Sequence, residues 1–412
     1  MTVTATDETL TATRPPLMGL ATLMTQAFRG TDLRPLAQAL IDRAGADEDD
    51  AEALMDLSTA LFLQGLREVG LATQAQALQV SRLYRLAAPC PPAQGRPLRL
   101  LALMMPGDLM ANAPLPFLCE GSDIELSMLY LMPGEPLPET LPPHDVLWTA
   151  VSESAASRSL LSRLDPQMTR WGTRPVNRPA AILHTSRDEA WQMLHDVPDL
   201  LMPATALHER GVLQELAEGT RPLGTLLPDA AWPLIIRPLD SHAGHDLEKV
   251  DTPAALAGYL TATTGEAFYL SSFIDYRGAD GQFRKCRIVL VDGQAFAGHL
   301  GVSSHWMVHY LNAGMTDCPL KRQQEAEFMT GFDTGFGARH AEALRRIGER
   351  FGLDYLVIDC AEMPDGRLLV FEVDPGAVVH AMDPEDMFPY KHPVMRRVRQ
   401  AFRALLARQA GR

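Results

Sequence analysis

The chain has 412 residues, of which 46% are hydrophobic, with a formal net charge of −14 and an isoelectric point near 5.3. This length favours two or three domains with sizeable cores, and the acidic balance argues against a general affinity for nucleic acid or for an anionic membrane. Five scattered cysteines without a C-x-x-C pair argue against a disulfide framework or a structural zinc site. Because no signal-peptide pattern and no apolar run of about 20 residues is visible, the sequence predicts a cytoplasmic protein.

The N-terminal part of the chain is predicted to be helical after a short tail. Residues 1–16 are rich in threonine and predict a disordered tail. From Met18 to about Ala88, alanine and leucine recur at helical spacing without strand-like alternation. The helix–glycine–helix rhythm over residues 17–90 resembles tetratricopeptide-type helical hairpins, and a plain helical bundle that caps the next domain is the alternative.

A proline- and glycine-rich linker at residues 88–97 marks a domain boundary. The stretches LRLLALMM, IELSMLYLM and HDVLWTAV then predict strands separated by helices, which indicates a small open α/β domain over residues 97–185. The remaining part, 186–412, contains further strands, a β-hairpin that turns at Asp292–Gly293, a second hairpin and an amphipathic C-terminal helix at 393–410.

The second hairpin, DCAEMPDGRLLVFEVDPG at residues 359–376, combines apolar strands with carboxylates. If its strands close on the Pro-Asp-Gly turn without slippage, Asp359 lies near Val370, and alternation places Asp359, Glu372 and Asp374 on one face. Three neighbouring carboxylates repel one another unless a positive charge lies between them. The pattern predicts a Mg²⁺ site. The alternatives are acids that cluster in water at a strand end or that pair with arginine.

The same stretch resembles the metal-binding hairpin of the ATP-grasp superfamily, which includes D-alanine–D-alanine ligase, glutathione synthetase and ligases that add glutamate to a ribosomal protein. Asp359 and Glu372 match its acidic positions, and Asp374 stands where the family usually has asparagine. The resemblance implies that these three residues hold one or two Mg²⁺ ions, with Mn²⁺ as a substitute.

The resemblance also implies a domain order within the α/β (α+β) class. An N-terminal α-helical hairpin domain at 17–90 and a small open α/β pre-grasp domain at 97–185 would precede an ATP-grasp domain at 186–412. Within that domain, a nucleotide-gripping subdomain would occupy about 205–280, and a metal-binding subdomain about 281–390.

Further segments follow the order of that superfamily and imply its ATP site. The strand WPLIIRP ends in Arg237, where the family has lysine, and the next loop would cover the phosphates. Arg187 would replace the family's first lysine, since the chain has Asp188–Glu189 where Asp-Lys is usual. FYLSSFIDY would grip adenine and ribose. The residues implied for ATP are Arg187, Arg237, Ser241, His242, Gly244, Ser272, Phe273 and Asp275.

The resemblance implies catalytic and substrate residues as well. Arg287 matches the arginine that faces the transferred phosphoryl group, and Asn312 belongs to a segment that enters the active site. His309 and Tyr310 would recognise the acceptor, although both could equally serve packing.

The implied activity is that of an ATP-dependent carboxylate–amine ligase that works through an acyl-phosphate and releases ADP and phosphate. The partners would be a carboxylate and an amine or other nucleophile, with a peptide or protein bound by the helical N-terminus among the candidates; a homodimer is a further expectation. The alternatives are a non-catalytic nucleotide- or peptide-binding adaptor on a degenerate ATP-grasp domain, and a phosphotransferase or carboxylase on the same fold.

Overall fold

The computed structural model describes residues 14–241 and 244–412. Most of the predicted tail and His242 therefore lie outside the described residues. Within the described ranges, no helix is both long and apolar enough to cross a membrane. Helices and three separate sheets alternate along the described part of the chain, and the predicted α/β (α+β) class is confirmed.

The N-terminal unit is helical, as predicted. Asp50 caps the third helix by accepting a 2.9 Å hydrogen bond from the backbone N–H of Ala53. Gly70 lets the fourth helix pack closely on the third, because a Cβ there would lie 2.6 Å from the Phe62 ring. The helices are α1 (Leu20–Phe28), α2 (Arg34–Ala46), α3 (Ala51–Leu63) and α4 (Arg67–Val80).

The prediction of helix up to residue 88 is wrong at its end. Leu83–Leu86 forms a strand, β1, that pairs with a strand of the next unit and buries Tyr84. A four-residue segment is too short for helical periodicity to distinguish from an edge strand.

The first sheet has the order β1-β3-β2-β4, and all of its strands except the edge strand β1 are parallel to one another, as expected for an open α/β domain. The three strands predicted here are confirmed. The elements are β2 (Leu98–Met104), α5 (Leu115–Cys119), β3 (Ile124–Tyr130), β4 (Val146–Thr149) and α6 (Arg158–Trp171). A linking segment follows with α7 (Pro179–Ile182), α8 (Arg187–Leu194) and the short strand β5 (Leu200–Leu201).

The second sheet is small, antiparallel and ordered β6-β9-β7-β8, with its own hydrophobic core. It places Arg237 directly opposite Tyr269. Its elements are β6 (Thr205–Glu209), α9 (Arg210–Ala217), β7 (Leu234–Pro238), β8 (Glu248–Val250), α10 (Pro253–Ala262) and β9 (Ala267–Ser272).

The third sheet has the order β11-β10-β12-β13-β5 and carries both predicted hairpins. The first turns at Asp292–Gly293, where both residues have positive φ, as its turn type requires. The elements are β10 (Phe283–Val291), β11 (Gln294–Ser303), α11 (Pro319–Thr330), α12 (Phe336–Arg339), α13 (Ala341–Phe351), β12 (Tyr355–Glu362), β13 (Leu368–Asp374) and α14 (Lys391–Gln409).

The predicted register of the carboxylate hairpin is wrong, although its consequence holds. Val370 lies opposite Cys360 rather than Asp359, which alone would turn Asp359 to the other face. A β-bulge at Phe371 adds one residue to β13, so that Glu372 lies directly opposite Asp359. The bulge therefore returns the three carboxylates to one face.

Candidate functional site

One row of side chains crosses four strands of the third sheet. His299 lies opposite Arg287, Arg287 opposite Asp359, and Asp359 opposite Glu372. The register shifts at this row on both outer strands, next to Gly298 on β11 and next to Phe371 on β13. Bulges re-aim side chains and are common beside active sites. The row thus places an arginine and two carboxylates side by side.

Asp359 is held by two cations from the neighbouring strand. Arg287 donates to it from Nε at 2.7 Å and from a terminal nitrogen at 3.0 Å, and Lys285 Nζ lies 3.0 Å away. Burial opposes ionisation of this carboxyl, but Arg287 and Lys285 outweigh burial and hold its pKa well below the ordinary value. Arg287 also donates to the backbone oxygen of Val378 at 2.8 Å. Asp359 is therefore ionised, and Arg287 is fixed in place.

Glu372 and Asp374 have different surroundings, although both are on the same face of β13. Glu372 accepts a 2.6 Å hydrogen bond from Arg187. Burial raises its pKa, but the charges of Arg187 and Arg237 outweigh burial and lower the pKa below its ordinary value. Asp374 accepts a 2.6 Å bond from the backbone N–H of Gly376, and burial together with Glu372 raises its pKa to about 7. Among the described residues Asp374 has no ion-pair partner.

Arg237 contributes a cation from the small sheet. Arg237 is 9% exposed, and its side chain donates hydrogen bonds to the hydroxyl oxygen of Ser241 at 3.0 Å and to the backbone oxygen of Ser241. Burial, with a contribution from Arg187, lowers its pKa to about 9. An arginine whose charge is opposed by its surroundings favours an added anion. The sheet thus presents Arg237 and Ser241 together.

Four of these groups, Arg187, Ser241, Glu372 and Asp374, line an open cleft. Arg237 contacts the cleft wall through Ser241, and Asp359 lies opposite Glu372 on the neighbouring strand. The first α/β unit, the linking segment, the small sheet and the third sheet all contribute walls. The lining residues include Met110, Ser152, Glu153, Ser186, Arg187, Asp240, Ser241, Tyr269, Glu372 and Asp374.

Several of these residues were not identified from the sequence. Ser152 and Glu153 follow β4, whose pattern indicates only a buried strand, and their role depends on the linking segment folding over them. Burial raises the pKa of Glu153, which accepts a 2.7 Å bond from Arg158. Lys285 could have been found from its spacing, because it lies two residues before Arg287 on the same strand face.

Other predicted ATP residues lie away from the carboxylate row. Phe273 packs edge-on against Trp306 at 5.8 Å, with Lys249 Nζ 4.9 Å from its ring centre. Asp275 is half-exposed and forms a 2.7 Å ion pair with Arg277, which lowers its pKa. The backbone N–H of Ser272 is used by the small sheet. Gly244 has φ +77° and packs near Met307.

The predicted catalytic and acceptor residues of the 306–314 segment separate in space. His309 lies near Lys285, and its pKa is lowered by burial and then by Lys285. Asn312 is exposed at the end of a 3₁₀ turn. The hydroxyl of Tyr310 bonds within a buried cluster, to Glu325 at 3.1 Å and Asp383 at 3.3 Å.

That buried cluster is centred on Lys391, which is 2% exposed. Its Nζ lies 2.7 Å from Asp383, 3.3 Å from Glu325 and in contact with the Tyr310 hydroxyl. Tyr390 donates to Glu325 at 2.7 Å. The cluster joins α11, α14 and the loop 375–390.

The donor set partly fits a hard divalent cation. Carboxylate oxygens from Asp359, Glu372 and Asp374 share one face, and Asp374 has no cationic partner among the described residues. In the described ranges, however, no three His, Cys, Asp or Glu side chains converge as a preformed metal site. Asp359 and Glu372 face arginines instead, so that a cation would be held mainly by Glu372 and Asp374.

No protein-family model matches the chain, and neither does any curated protein sequence. Among solved structures, the chain is similar to a RimK domain protein ATP-grasp from Sphaerobacter thermophilus DSM 20745, with 16% identity, a TM-score of 0.42 and coverage of 74% of this chain and 99% of that one. It is also similar to the VanG D-Ala:D-Ser ligase from Enterococcus faecalis, with 10% identity, a TM-score of 0.47 and coverage of 76% and 100%. These identities and scores do not by themselves assign the chain to a family or to an activity.

Proposed function

We propose that the chain is an ATP-dependent ligase that joins a carboxylate to an amine. The observation that carries this proposal is a group of four cations and three carboxylates from two sheets and the linking segment. Three of them, Arg187, Glu372 and Asp374, line the cleft, and the others lie beside these residues. The cations are Arg187, Arg237, Lys285 and Arg287, and the carboxylates are Asp359, Glu372 and Asp374.

The cationic side of the cleft suits a triphosphate and its reaction. Arg237 and Ser241 would bind the nucleotide phosphates, and Arg287 with Lys285 would stabilise charge on the phosphoryl group in transfer. Glu372 and Asp374 would hold Mg²⁺, which neutralises phosphate charge when bound. Phe273, with Trp306 and Lys249 beside it, would pack against the base.

The reaction would use two displacements. A carboxylate oxygen attacks the γ-phosphorus, an O–P bond forms, and the bond to the leaving oxygen of ADP breaks. The amine nitrogen then attacks the acyl carbon, a C–N bond forms, phosphate leaves, and the nitrogen loses a proton. Asp240 in the cleft wall would attract the amine as an ammonium ion, which gives one proton to water or a carboxylate before it attacks and a second proton afterwards.

The activity can be tested by measuring ADP release with Mg·ATP against panels of carboxylates and amines. The expected result is release that requires both a carboxylate and an amine, and that Glu372→Gln abolishes while the fold is retained. Glu266→Gln, which changes an exposed acid of the small-sheet unit, is the matched control. Full activity in Glu372→Gln, or release of ADP that no acid–amine pair increases, would contradict the assignment.

A second candidate is a non-catalytic nucleotide-binding adaptor. The arginine partners of Asp359 and Glu372 favour it, because those carboxylates are already neutralised without a metal. An adaptor would bind ATP with little dependence on Mg²⁺ and would release no ADP. The substrates, the peptide-binding role of the helical unit, a homodimer and a cytoplasmic location all remain predictions.

A further inference from the structure

A chain of contacts joins the N-terminal helices to the cleft, and it begins at Gln74 on α4. Gln74 is 6% exposed. Its side-chain nitrogen donates to the backbone oxygen of Gly107 at 2.9 Å, and the backbone N–H of Gly107 donates to its side-chain oxygen at 2.8 Å. One side chain of the helical unit thus satisfies both backbone groups of a residue in the first α/β unit.

The loop 105–112, which contains Gly107, has a tightly defined shape. Asn112 makes the same kind of paired contact with Met105, with both hydrogen bonds at 2.8 Å. A Cβ on Gly107 would lie 2.5 Å from the Cβ of Ala111, so the loop can close on itself only with glycine there. The loop brings Met110 to the wall of the cleft.

The contacts continue from this loop to the carboxylate hairpin. The backbone N–H of Ser152 donates to the backbone oxygen of Ala111 at 3.0 Å. The Ser152 hydroxyl packs so closely on Gly376 that any Cβ there would collide with it. The N–H of Gly376 donates to Asp374 at 2.6 Å. The position of Asp374 therefore depends on the loop that Gln74 holds.

The helical unit also touches the loop 375–390 on the other side of the hairpin. The Phe28 ring lies 5.3 Å from the ring of His380, and Arg29 donates to the backbone oxygen of Met382 at 3.5 Å. The same loop supplies the Val378 oxygen that fixes Arg287. Both loops that flank the carboxylate row are thus in contact with the N-terminal helices.

We propose that Gln74 is a positioning residue for the cleft: by clamping loop 105–112 it holds Met110 and, through Ser152 and Gly376, Asp374 in the geometry that binds the ligand. The helical unit then acts as a structural part of the cleft, which goes beyond the proposed function. Only the magnesium readout below rests on that function.

The first readout is hydrogen exchange of the full chain without ligand. Gln74→Met keeps the size of the side chain and removes both hydrogen bonds to Gly107. Exchange in 105–112 and in 374–376 is expected to rise about tenfold, which is what losing two buried hydrogen bonds would allow. The matched control is Gln76→Ala, an exposed glutamine on the same helix, which should leave these segments unchanged. Gly376→Ala perturbs the other end of this chain of contacts and should also raise hydrogen exchange in residues 105–112.

The second readout is the Mg²⁺ concentration that gives half of the thermal stabilisation at fixed ATP. Gln74→Met should raise it about fivefold, whereas a residue that only stabilises α4 would lower the melting temperature and leave this midpoint unchanged.

Two results would overturn the proposal: exchange in 105–112 and 374–376 that matches Gln76→Ala, or an unchanged Mg²⁺ midpoint. If ATP and Mg²⁺ do not stabilise even the wild type, the proposed function fails, and hydrogen exchange alone still decides the role of Gln74.

Discussion

Two charged clusters, one buried around Lys391 and one at the cleft, differ in how many of their charged groups find partners within the protein. In the buried cluster, Lys391 forms ion pairs with Asp383 and Glu325, and both carboxylates also make hydrogen bonds with tyrosine hydroxyls. The cleft cluster opposes four cations to three carboxylates, leaves Asp374 without a cationic partner among the described residues, and buries Arg237 against only a serine.

This difference indicates that the buried cluster stabilises the fold and that the cleft cluster is suited to bind a ligand. Buried charged groups whose hydrogen bonds are satisfied within the protein need no ligand and add rigidity, whereas charged groups beside a cleft that lack such partners cost stability that a ligand can return. We therefore expect substitutions in the buried cluster to change unfolding, and substitutions in the cleft to change ligand binding.

The largest effect is expected for Lys391→Met. Removing this cation leaves the buried carboxylates of Asp383 and Glu325 without a positive charge beside them. This should lower the free energy of unfolding by about 3–5 kcal/mol. Urea denaturation measures it. A loss no larger than that of an exposed control such as Arg396→Met would mean that the cluster is not a structural centre.

Arg237→Met should act in the opposite way. The free protein should keep its stability or gain about 1 kcal/mol, because burial opposes the charge of Arg237. The stabilisation by Mg·ATP, about 2.7 kcal/mol at a hundred times the dissociation constant, should be lost. Thermal unfolding with and without Mg·ATP measures both. Unchanged nucleotide stabilisation would remove Arg237 from the site.

His380 tests whether the surroundings of the buried cluster resist an added charge. Burial lowers its pKa from 6.5 to about 4, so between these values the unfolded chain binds a proton that the folded protein does not. Stability should therefore fall as pH decreases through this window, by on the order of 2 kcal/mol more in wild type than in His380→Asn. Equal pH dependence in the two proteins would contradict this origin.

The smallest effect is expected for Tyr390→Phe. Loss of its 2.7 Å hydrogen bond to Glu325 should cost about 1 kcal/mol, measured by urea denaturation, with no change in the response to Mg·ATP. A change in nucleotide binding would link the two clusters and blur the distinction between them.

The sequence predicted local features of the cleft better than its assembly. Alternation and turn chemistry were enough for both hairpins, whereas the shared carboxylate face depends on a bulge that they did not include. The bulge at Phe371 could not be predicted, because an extra residue leaves no mark in an apolar strand. Gly298 did carry a signal, since an isolated glycine in a strand often marks a bulge.

Contacts between distant segments were not accessible from local patterns. The sequence left acceptor recognition and packing both open for Tyr310, and in the structure its hydroxyl bonds to groups from α11, α14 and the loop 375–390. The arginine partners of the carboxylates likewise come from α8 and β10, and only the folded chain brings them to β12 and β13. Arginine pairing and Mg²⁺ binding were both open from the sequence, and the structure contains the pairing.

The most direct test of the account is thermal unfolding of the wild type and Glu372→Gln over a titration of ATP, with and without Mg²⁺. The account predicts a Mg²⁺-dependent rise in the melting temperature of the wild type and a much smaller rise in the variant. No rise at millimolar ATP, or the same rise in both proteins, would contradict the claim that the carboxylate row binds a metal-bound nucleotide.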